Sequence, residues 1–170
     1  MLLSPAGKDS ADARVLQIYT EARDDVYYYV LTLGLSPGQA QDVAQEVFLK
    51  LYIQLRGGEE IRSERAWVFR VAHNEALKLR AKERNHSEIT PEIEPISNES
   101  TPEKSFLEDE SRDRLQKALT ELSPQQRQVL ELRASGLRYR EIAETIGIKT
   151  STVNEFLRRA VVRLRNAINE

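Results

Sequence analysis

The sequence contains no cysteine, only two histidines and no long apolar run. Without thiols the chain can form neither a disulfide framework nor a thiolate zinc site. His73 and His86 have no third histidine to join them, so we expect two surface histidines and no metal site. No apolar stretch approaches the roughly 20 residues that cross a membrane, and residues 1–10 lack the apolar stretch of a secretory signal. We therefore expect no membrane insertion and a cytoplasmic location.

The patterns typical of β-strands and of enzyme active sites are also missing. No segment alternates apolar and polar residues with an excess of β-branched side chains. The chain has no glycine-rich phosphate loop, no HExxH metal motif and no Ser/His/Asp set in a plausible context. The sequence therefore predicts an all-α protein that is not an enzyme and needs no cofactor.

Charge is strongly segregated although the net charge is only −2. Residues 1–85 are balanced, residues 86–111 carry a net charge of −7, and residues 112–170 carry +5. The acidic middle also holds Pro91, Pro95 and Pro102, and it cannot bury enough apolar surface to offset its ordering entropy. We therefore expect a flexible acidic linker between two small helical domains.

Helical periodicity and capping signals give the boundaries of these parts. Apolar stripes predict three helices in the first half, and Ser-Pro pairs give a cap followed by proline at the first helical position. The three are expected over Ala13–Leu33, from Ser36-Pro37 to about Leu55, and over Glu64–Arg84. Two further helices are expected over Phe106–Leu122 and from Ser123-Pro124 to near Gly136. The division expected is a flexible N-terminus at 1–12, a first domain at 13–84, the linker at 85–104 and a second domain at 105–170.

The last part of the chain, YREIAETIGIKTSTVNEFLRRAVVRLR, predicts a helix-turn-helix. Ala143 allows close helix approach, and Gly147 supplies a positive φ where the first helix ends. Thr150 or Ser151 is expected to cap the second helix. Any helical hairpin could share the apolar spacing, but the polar face of the second helix suits base edges and phosphates. That face contains Lys149, Ser151, Thr152, Asn154, Glu155, Arg158 and Arg159.

The third helix interleaves cations with aromatic and amide side chains. Cations follow a phosphate backbone, aromatic rings stack on exposed bases, and an amide can read a base edge. This combination suits single-stranded DNA, while an ordinary amphipathic helix with Trp67 in the core is an equal alternative. The side chains concerned are Arg62, Arg65, Trp67, Phe69, Arg70, Asn74, Lys78, Arg80, Lys82 and Arg84.

Four stretches in this order resemble an extracytoplasmic-function (ECF, group IV) sigma factor of the bacterial sigma-70 family. AQDVAQEVFLKLY is similar to the core-binding helix of region 2, and RAWVFRVAHNEALKLR to its promoter-melting helix. LSPQQRQVLELRASGLRYREIAETIGI is similar to the start of region 4, and TSTVNEFLRRAVVRLR to its recognition helix. The last two alone would be weak, because response regulators use a similar four-helix unit.

The resemblance implies an RNA polymerase sigma factor that directs promoter-specific initiation. Region 2 would bind the β′ clamp helices of core polymerase, and region 4 would contact the β flap. The implied core-binding residues are Asp42, Gln45, Glu46, Leu49 and Lys50. Region 2 would also melt the minus-ten element and bind its unpaired strand, through Arg62, Ser63, Arg65, Trp67, Arg70, Asn74, Lys78 and Arg80. Asn74 occupies the position of the family's base-reading asparagine.

Region 4 would read the duplex minus-thirty-five element in the major groove. The implied contacts are Arg138, Lys149, Thr150, Ser151, Thr152, Asn154, Glu155, Arg158 and Arg159. The family helix commonly reads Thr-Val-Lys/Arg-Ser-Arg-Leu, whereas this chain has Asn154, Glu155 and Phe156 after the first two residues. Asn154 could read adenine and Glu155 cytosine, with fewer phosphate contacts. Alternatively, Glu155 pairs with Arg158 or Arg159 along the helix.

Two further expectations concern function and partners. The alternative function is a stand-alone helix-turn-helix regulator, which would need no core-binding helix. Many relatives are restrained by an anti-sigma factor, and the linker and charge of this chain are compatible with such a partner. When free, the two halves are expected either to move independently or to pack compactly on each other.

Overall fold

The computed structural model describes residues 5–85 and 106–169. Every regular element in these two ranges is an α-helix, which confirms the predicted fold class. Most of the predicted acidic linker, residues 86–104, lies outside the described residues.

The first half consists of three helices: α1 (Pro5–Thr32), α2 (Pro37–Arg56) and α3 (Glu64–Arg84). The boundaries of α2 and α3 agree with the prediction to within about one residue. Helix α1 begins before the expected Ala13, within the stretch that was predicted to be a flexible N-terminus. Ala11 is buried in the apolar core, and the Arg56–Asp12 ion pair of 3.1 Å joins the early turns of α1 to α2.

The second half consists of α4 (Phe106–Thr120), α5 (Pro124–Ala134), α6 (Tyr139–Ile146) and α7 (Thr150–Asn169). Helices α6 and α7 form the predicted helix-turn-helix. Gly147 ends α6 in the left-handed region at φ 80°, as predicted. The expected cap at Thr150 or Ser151 is wrong. Helix α7 already begins at Thr150, and the carbonyl oxygen of Lys149 accepts its first hydrogen bond, of 3.1 Å, from the amide of Val153.

The same capping device starts one helix in each half. Ser36 and Gln39 exchange two hydrogen bonds at the start of α2, of 3.3 and 3.0 Å. Ser123 and Gln126 repeat the arrangement at α5 with two bonds of 3.2 Å. Each pair satisfies backbone donors that the first turn of a helix leaves unpaired, which explains why both starts could be predicted.

The two halves share one apolar core. In the first half α1 packs against α2 and α3, in the second half α7 packs against α4, α5 and α6, and α3 contacts α6 while α1 contacts α5. The core is therefore continuous between the halves, and the compact one of the two expected arrangements is the one observed. Its buried members include Val26, Tyr29, Val30, Leu33, Val47, Leu51, Val68, Phe69, Ala72, Val129, Leu132, Leu137, Ile142, Val153 and Leu157.

Candidate nucleic-acid and polymerase interface

The predicted minus-ten side chains lie along α3 and the loop before it, but they differ in accessibility. Arg62, Arg70, Asn74 and Lys78 are exposed. Ser63 has a structural task as well, since its hydroxyl accepts a hydrogen bond of 3.2 Å from the Ala66 amide at the start of α3. Exposed members are available to a ligand without any rearrangement of the core.

Two further members of this set pack against the protein. Trp67 is half-buried and lies against the apolar core. The guanidinium of Arg80 lies beside Gly34. A Cβ added to Gly34 would be 3.9 Å from the Nε of Arg80. Because Trp67 is only half-buried, its contact with the core excludes neither of the two alternatives, core residue and base-stacking ring.

Arg65 is held between the halves. One Nη donates a hydrogen bond of 2.8 Å to the carbonyl oxygen of Ser135, and the same nitrogen lies 3.5 Å from an Asp25 carboxylate oxygen. Ser135 follows α5, and its neighbour Gly136 has a positive φ of 92°. Arg65 thus links α1 and α3 to the end of α5.

His73, next to Asn74, is not the surface histidine that was expected. It is 5% exposed, and its Nδ1 forms a hydrogen bond of 2.8 Å with the Tyr29 hydroxyl. Burial lowers the pKa of His73 and raises the pKa of Tyr29. Phe69, Ala72, His73 and Ala76 form one buried stripe of α3, and their helical spacing is the signal that could have revealed the burial.

The predicted polymerase-binding side chains form one surface of α2. Asp42, Gln45 and Glu46 are exposed, and Leu49 is 52% exposed. Ile53, one turn further on, is 59% exposed and was missed, although its spacing from Leu49 was visible in the sequence. Leu49 and Ile53 are therefore two exposed apolar side chains on the same face of α2 as Asp42, Gln45 and Glu46.

Lys50 differs from its predicted companions because it is bound to α3. Its ammonium group lies 2.9 Å from a Glu75 carboxylate oxygen. This hydrogen bond raises the pKa of Lys50 and lowers the pKa of Glu75. Lys50 therefore connects the predicted polymerase surface to the predicted DNA surface.

The predicted minus-thirty-five side chains lie at the start of α6 and along α7. Arg138, Lys149, Thr150, Ser151 and Asn154 are exposed, whereas Thr152 is half-buried. Phe156 packs against the apolar core, as expected from its place on the apolar side of α7. A side chain turned into the core cannot reach a phosphate.

Glu155 pairs along α7. Its carboxylate accepts hydrogen bonds from Arg158, at 3.0 and 3.3 Å, and from Arg159, at 2.6 Å. The bonds from Arg158 and then Arg159 lower the pKa of Glu155. This geometry corresponds to the second alternative for Glu155, pairing with both arginines.

In residues 5–85 and 106–169 no three histidine or acidic side chains come together in a way that could hold a metal ion. Within the same ranges, no helix combines the length and apolar character required to cross a bilayer.

Comparison with protein families gives two matches in the expected order. Residues 18–86 match Sigma-70 region 2, and residues 112–164 match Sigma-70 region 4. Among similar proteins, the ECF RNA polymerase sigma factor SigL of Mycobacterium tuberculosis is 30% identical over 172 residues, which cover 97% of this chain and 95% of SigL. The ECF RNA polymerase sigma factor SigK of Mycobacterium bovis is 27% identical over 179 residues, covering 99% and 92%.

Two solved structures resemble the fold. The sigma factor RpoE of Bartonella quintana, in complex with the anti-sigma factor NepR, superposes with a TM-score of 0.66 at 23% identity, covering 90% of this chain and 95% of that one. CnrH, in complex with the cytosolic domain of CnrY, gives 0.58 at 19% identity, covering 95% and 94%.

Proposed function

Since the chain belongs to the ECF family of RNA polymerase sigma factors and contains regions 2 and 4, we propose how its surfaces divide the work of initiation. Residues 13–84 act as region 2, residues 105–170 as region 4, and residues 85–104 as the tether between them. Sigma factors are not enzymes, and we assign this chain no chemistry of its own. It acts in the cytoplasm, where the polymerase is.

The α2 surface docks on the β′ clamp helices of core polymerase. The observation that carries this assignment is the exposure of Leu49 and Ile53 between Asp42, Gln45 and Glu46. Apolar anchors surrounded by polar groups are typical of the centre of a protein interface. A stand-alone helix-turn-helix regulator would have no need for this surface.

The exposed side chains of α3 capture the unpaired minus-ten strand. Arg62, Arg70 and Lys78 neutralise phosphates, while the amide of Asn74 reads a flipped base and the accessible part of the Trp67 ring stacks on a neighbouring base. Flipping a base costs a few kcal/mol, so a rigid helix that presents these groups favours open promoter DNA. Buried His73, bonded to Tyr29, supports the α3 backbone beside Asn74.

The α6–α7 unit reads the minus-thirty-five duplex in the major groove, and the outer surface of the same half contacts the β flap. The exposed side chains from Lys149 to Asn154 are at the start of α7, the part of a recognition helix that enters the groove. Arg138, at the start of α6, is placed to bind a flanking phosphate.

We propose that the halves separate from the arrangement seen here when the chain binds promoter DNA. Arg65 is engaged by Ser135 and Asp25 between the halves, and a DNA phosphate would compete with both acceptors for its guanidinium. Promoter DNA and core polymerase therefore stabilise an open form. An anti-sigma factor, the kind of partner bound to RpoE of Bartonella quintana, would restrain a compact form.

The test is co-purification of the tagged chain with bacterial core polymerase, followed by transcription from a library of random promoters. We expect a stoichiometric complex that initiates at a shared pair of sequence elements. A chain that ignores core polymerase but retains affinity for duplex DNA would be a stand-alone regulator, and the proposal would be wrong.

A further inference from the structure

The arginines of the recognition helix are already occupied by a carboxylate. Glu155 lies three residues before Arg158 and four before Arg159, so all three side chains emerge on one side of α7. The closest contacts are 3.0 Å to Arg158 and 2.6 Å to Arg159. We call these three residues the Glu155 clamp.

The clamp is accessible to solvent. The side chains of Glu155, Arg158 and Arg159 are 39%, 62% and 60% exposed. Exposed ion pairs contribute little to folding, so the stability of α7 does not explain why two cations share one anion. Their arrangement does change the charge that α7 presents to DNA, from two positive charges to one.

The clamp borders a groove of about 530 Å³ between α7 and the α4–α5 connection. Arg163, on the same groove, donates a hydrogen bond of 2.6 Å to the carbonyl oxygen of Glu121. Each of the three arginines along this groove thus has an intramolecular partner. A phosphate that approaches Arg158 or Arg159 competes with Glu155 for the guanidinium donors and is repelled by the charge of Glu155.

We propose that Glu155 competes with DNA phosphate for Arg158 and Arg159, and thereby lowers the duplex affinity and the salt dependence of region 4. This inference rests on the proposed minus-thirty-five role of α7 and makes Glu155 an affinity-setting residue instead of a base reader. Weak duplex binding by this half makes it dependent on the other contacts of the holoenzyme, because tethered sites act at high effective concentration.

The first measurement is the salt dependence of binding between the full-length chain and a short random-sequence duplex. Each new phosphate contact steepens the slope of log K against log salt by about 0.9. Glu155→Gln keeps the shape of the side chain but cannot form the ion pairs. One or two arginines then become available to phosphate, so the slope is expected to steepen by an amount between about 0.9 and about 1.8. The matched control is Asp113→Asn, which removes one negative charge from an exposed position of α4 in the same half.

A double-mutant cycle assigns the gain to the clamp. Arg158→Gln in the wild-type chain is expected to change the slope little, because Glu155 already neutralises that arginine. In the Glu155→Gln chain, the same substitution is expected to remove about one phosphate contact. Both substitutions remove one negative charge, so equal slopes for Glu155→Gln and Asp113→Asn would overturn the proposal.

Transcription from promoters randomised over the minus-thirty-five element separates this inference from the proposed function. We expect the Glu155→Gln holoenzyme to select the same bases as the wild type. Loss of a cytosine preference with an unchanged salt slope would make Glu155 a base reader and contradict its proposed competition with phosphate. Failure of the wild-type chain to assemble with core polymerase would instead contradict the proposed function. The salt dependence of duplex binding would still test whether Glu155 competes with phosphate.

Discussion

The guanidinium of Arg65 lies 2.8 Å from the carbonyl oxygen of Ser135, a residue 70 positions further along the chain. The hydrogen bond joins the proposed melting helix of region 2 to the end of α5 in region 4. Because a main-chain carbonyl is the acceptor, no substitution at Ser135 removes it. The contact must therefore be tested from the Arg65 side.

Arg65→Gln is expected to loosen the packing of the two halves. A hydrogen bond from a charged group contributes roughly 1.5–3 kcal/mol, and partial exposure of Arg65 reduces this to about 1–2 kcal/mol. Small-angle scattering is expected to show a larger radius of gyration. The control is Arg62→Gln, which also removes a proposed DNA-binding cation but from an exposed position. Identical scattering from both variants would show that Arg65 does not hold the halves together.

Replacing Asp42 and Glu46 by lysine is expected to abolish polymerase binding and leave the melting temperature nearly unchanged. Both carboxylates are exposed, and Glu46 makes only a loose 3.9 Å contact with Lys50. Pull-down with core polymerase and thermal unfolding measure the two effects. A control with the same change of charge is Glu21 and Asp24 to lysine, on exposed α1. An unfolded Asp42/Glu46 variant would make these carboxylates structural.

Asn74→Ala is expected to leave polymerase assembly normal and to weaken promoter opening. The side chain is exposed, so its loss removes no core packing, whereas loss of a base-reading amide costs about 1–3 kcal/mol of discrimination. Permanganate reactivity of unpaired thymines measures the opening. Gln41→Ala, an exposed amide on α2, serves as the control. Equal opening by both variants would remove Asn74 from the base-reading role.

Local signals carried most of the fold. The Ser-Pro starts of α2 and α5, the glycine that ends α6 and the apolar stripes each depend on a few neighbouring residues. The early start of α1 could not be predicted, because the ion pair that joins Asp12 to Arg56 of α2 spans 44 residues and the burial of Ala11 depends on tertiary packing.

The candidate surfaces divide in the same way. Exposure of Asp42, Leu49 and Asn74 follows from helical spacing alone, which depends only on the local sequence. The hydrogen bonds from Arg65 to Ser135 and from Lys50 to Glu75 depend instead on how separate helices pack. Spacing along one helix could indicate that Glu155 pairs with Arg158 and Arg159, but partners on other helices require the tertiary structure.

The buried His73 makes stability depend on pH. Burial lowers its folded-state pKa below 6.5, so between the folded and unfolded pKa values the unfolded chain binds more protons. Stability is therefore full above about pH 6.5 and falls as pH decreases below it. Urea unfolding from about pH 8 to about pH 5 is expected to show this loss in the wild type and less of it in His73→Gln. Parallel pH profiles would contradict the assignment.

Glu131 contributes with the opposite sign at lower pH. Burial, and secondarily the nearby charge of Asp25, raises its folded-state pKa above 4.5. The folded chain then binds more protons than the unfolded one, so this contribution gains stability as pH falls towards 4.5. Comparing His73→Gln with the wild type cancels the Glu131 contribution, which both proteins share.

Two glycines with open space around them separate backbone strain from packing. An added Cβ at Gly147 or at Gly38 meets no atom within 4 Å, but Gly147 has φ 80° and Gly38 lies within α2. Gly147→Ala is expected to destabilise the chain by about 1 kcal/mol, since left-handed backbone disfavours a Cβ. Gly38→Ala is expected to stabilise it by about 0.4–1 kcal/mol by restricting the unfolded chain. Urea unfolding measures the free energy of unfolding of both variants. Equal changes would contradict the expected backbone strain at Gly147.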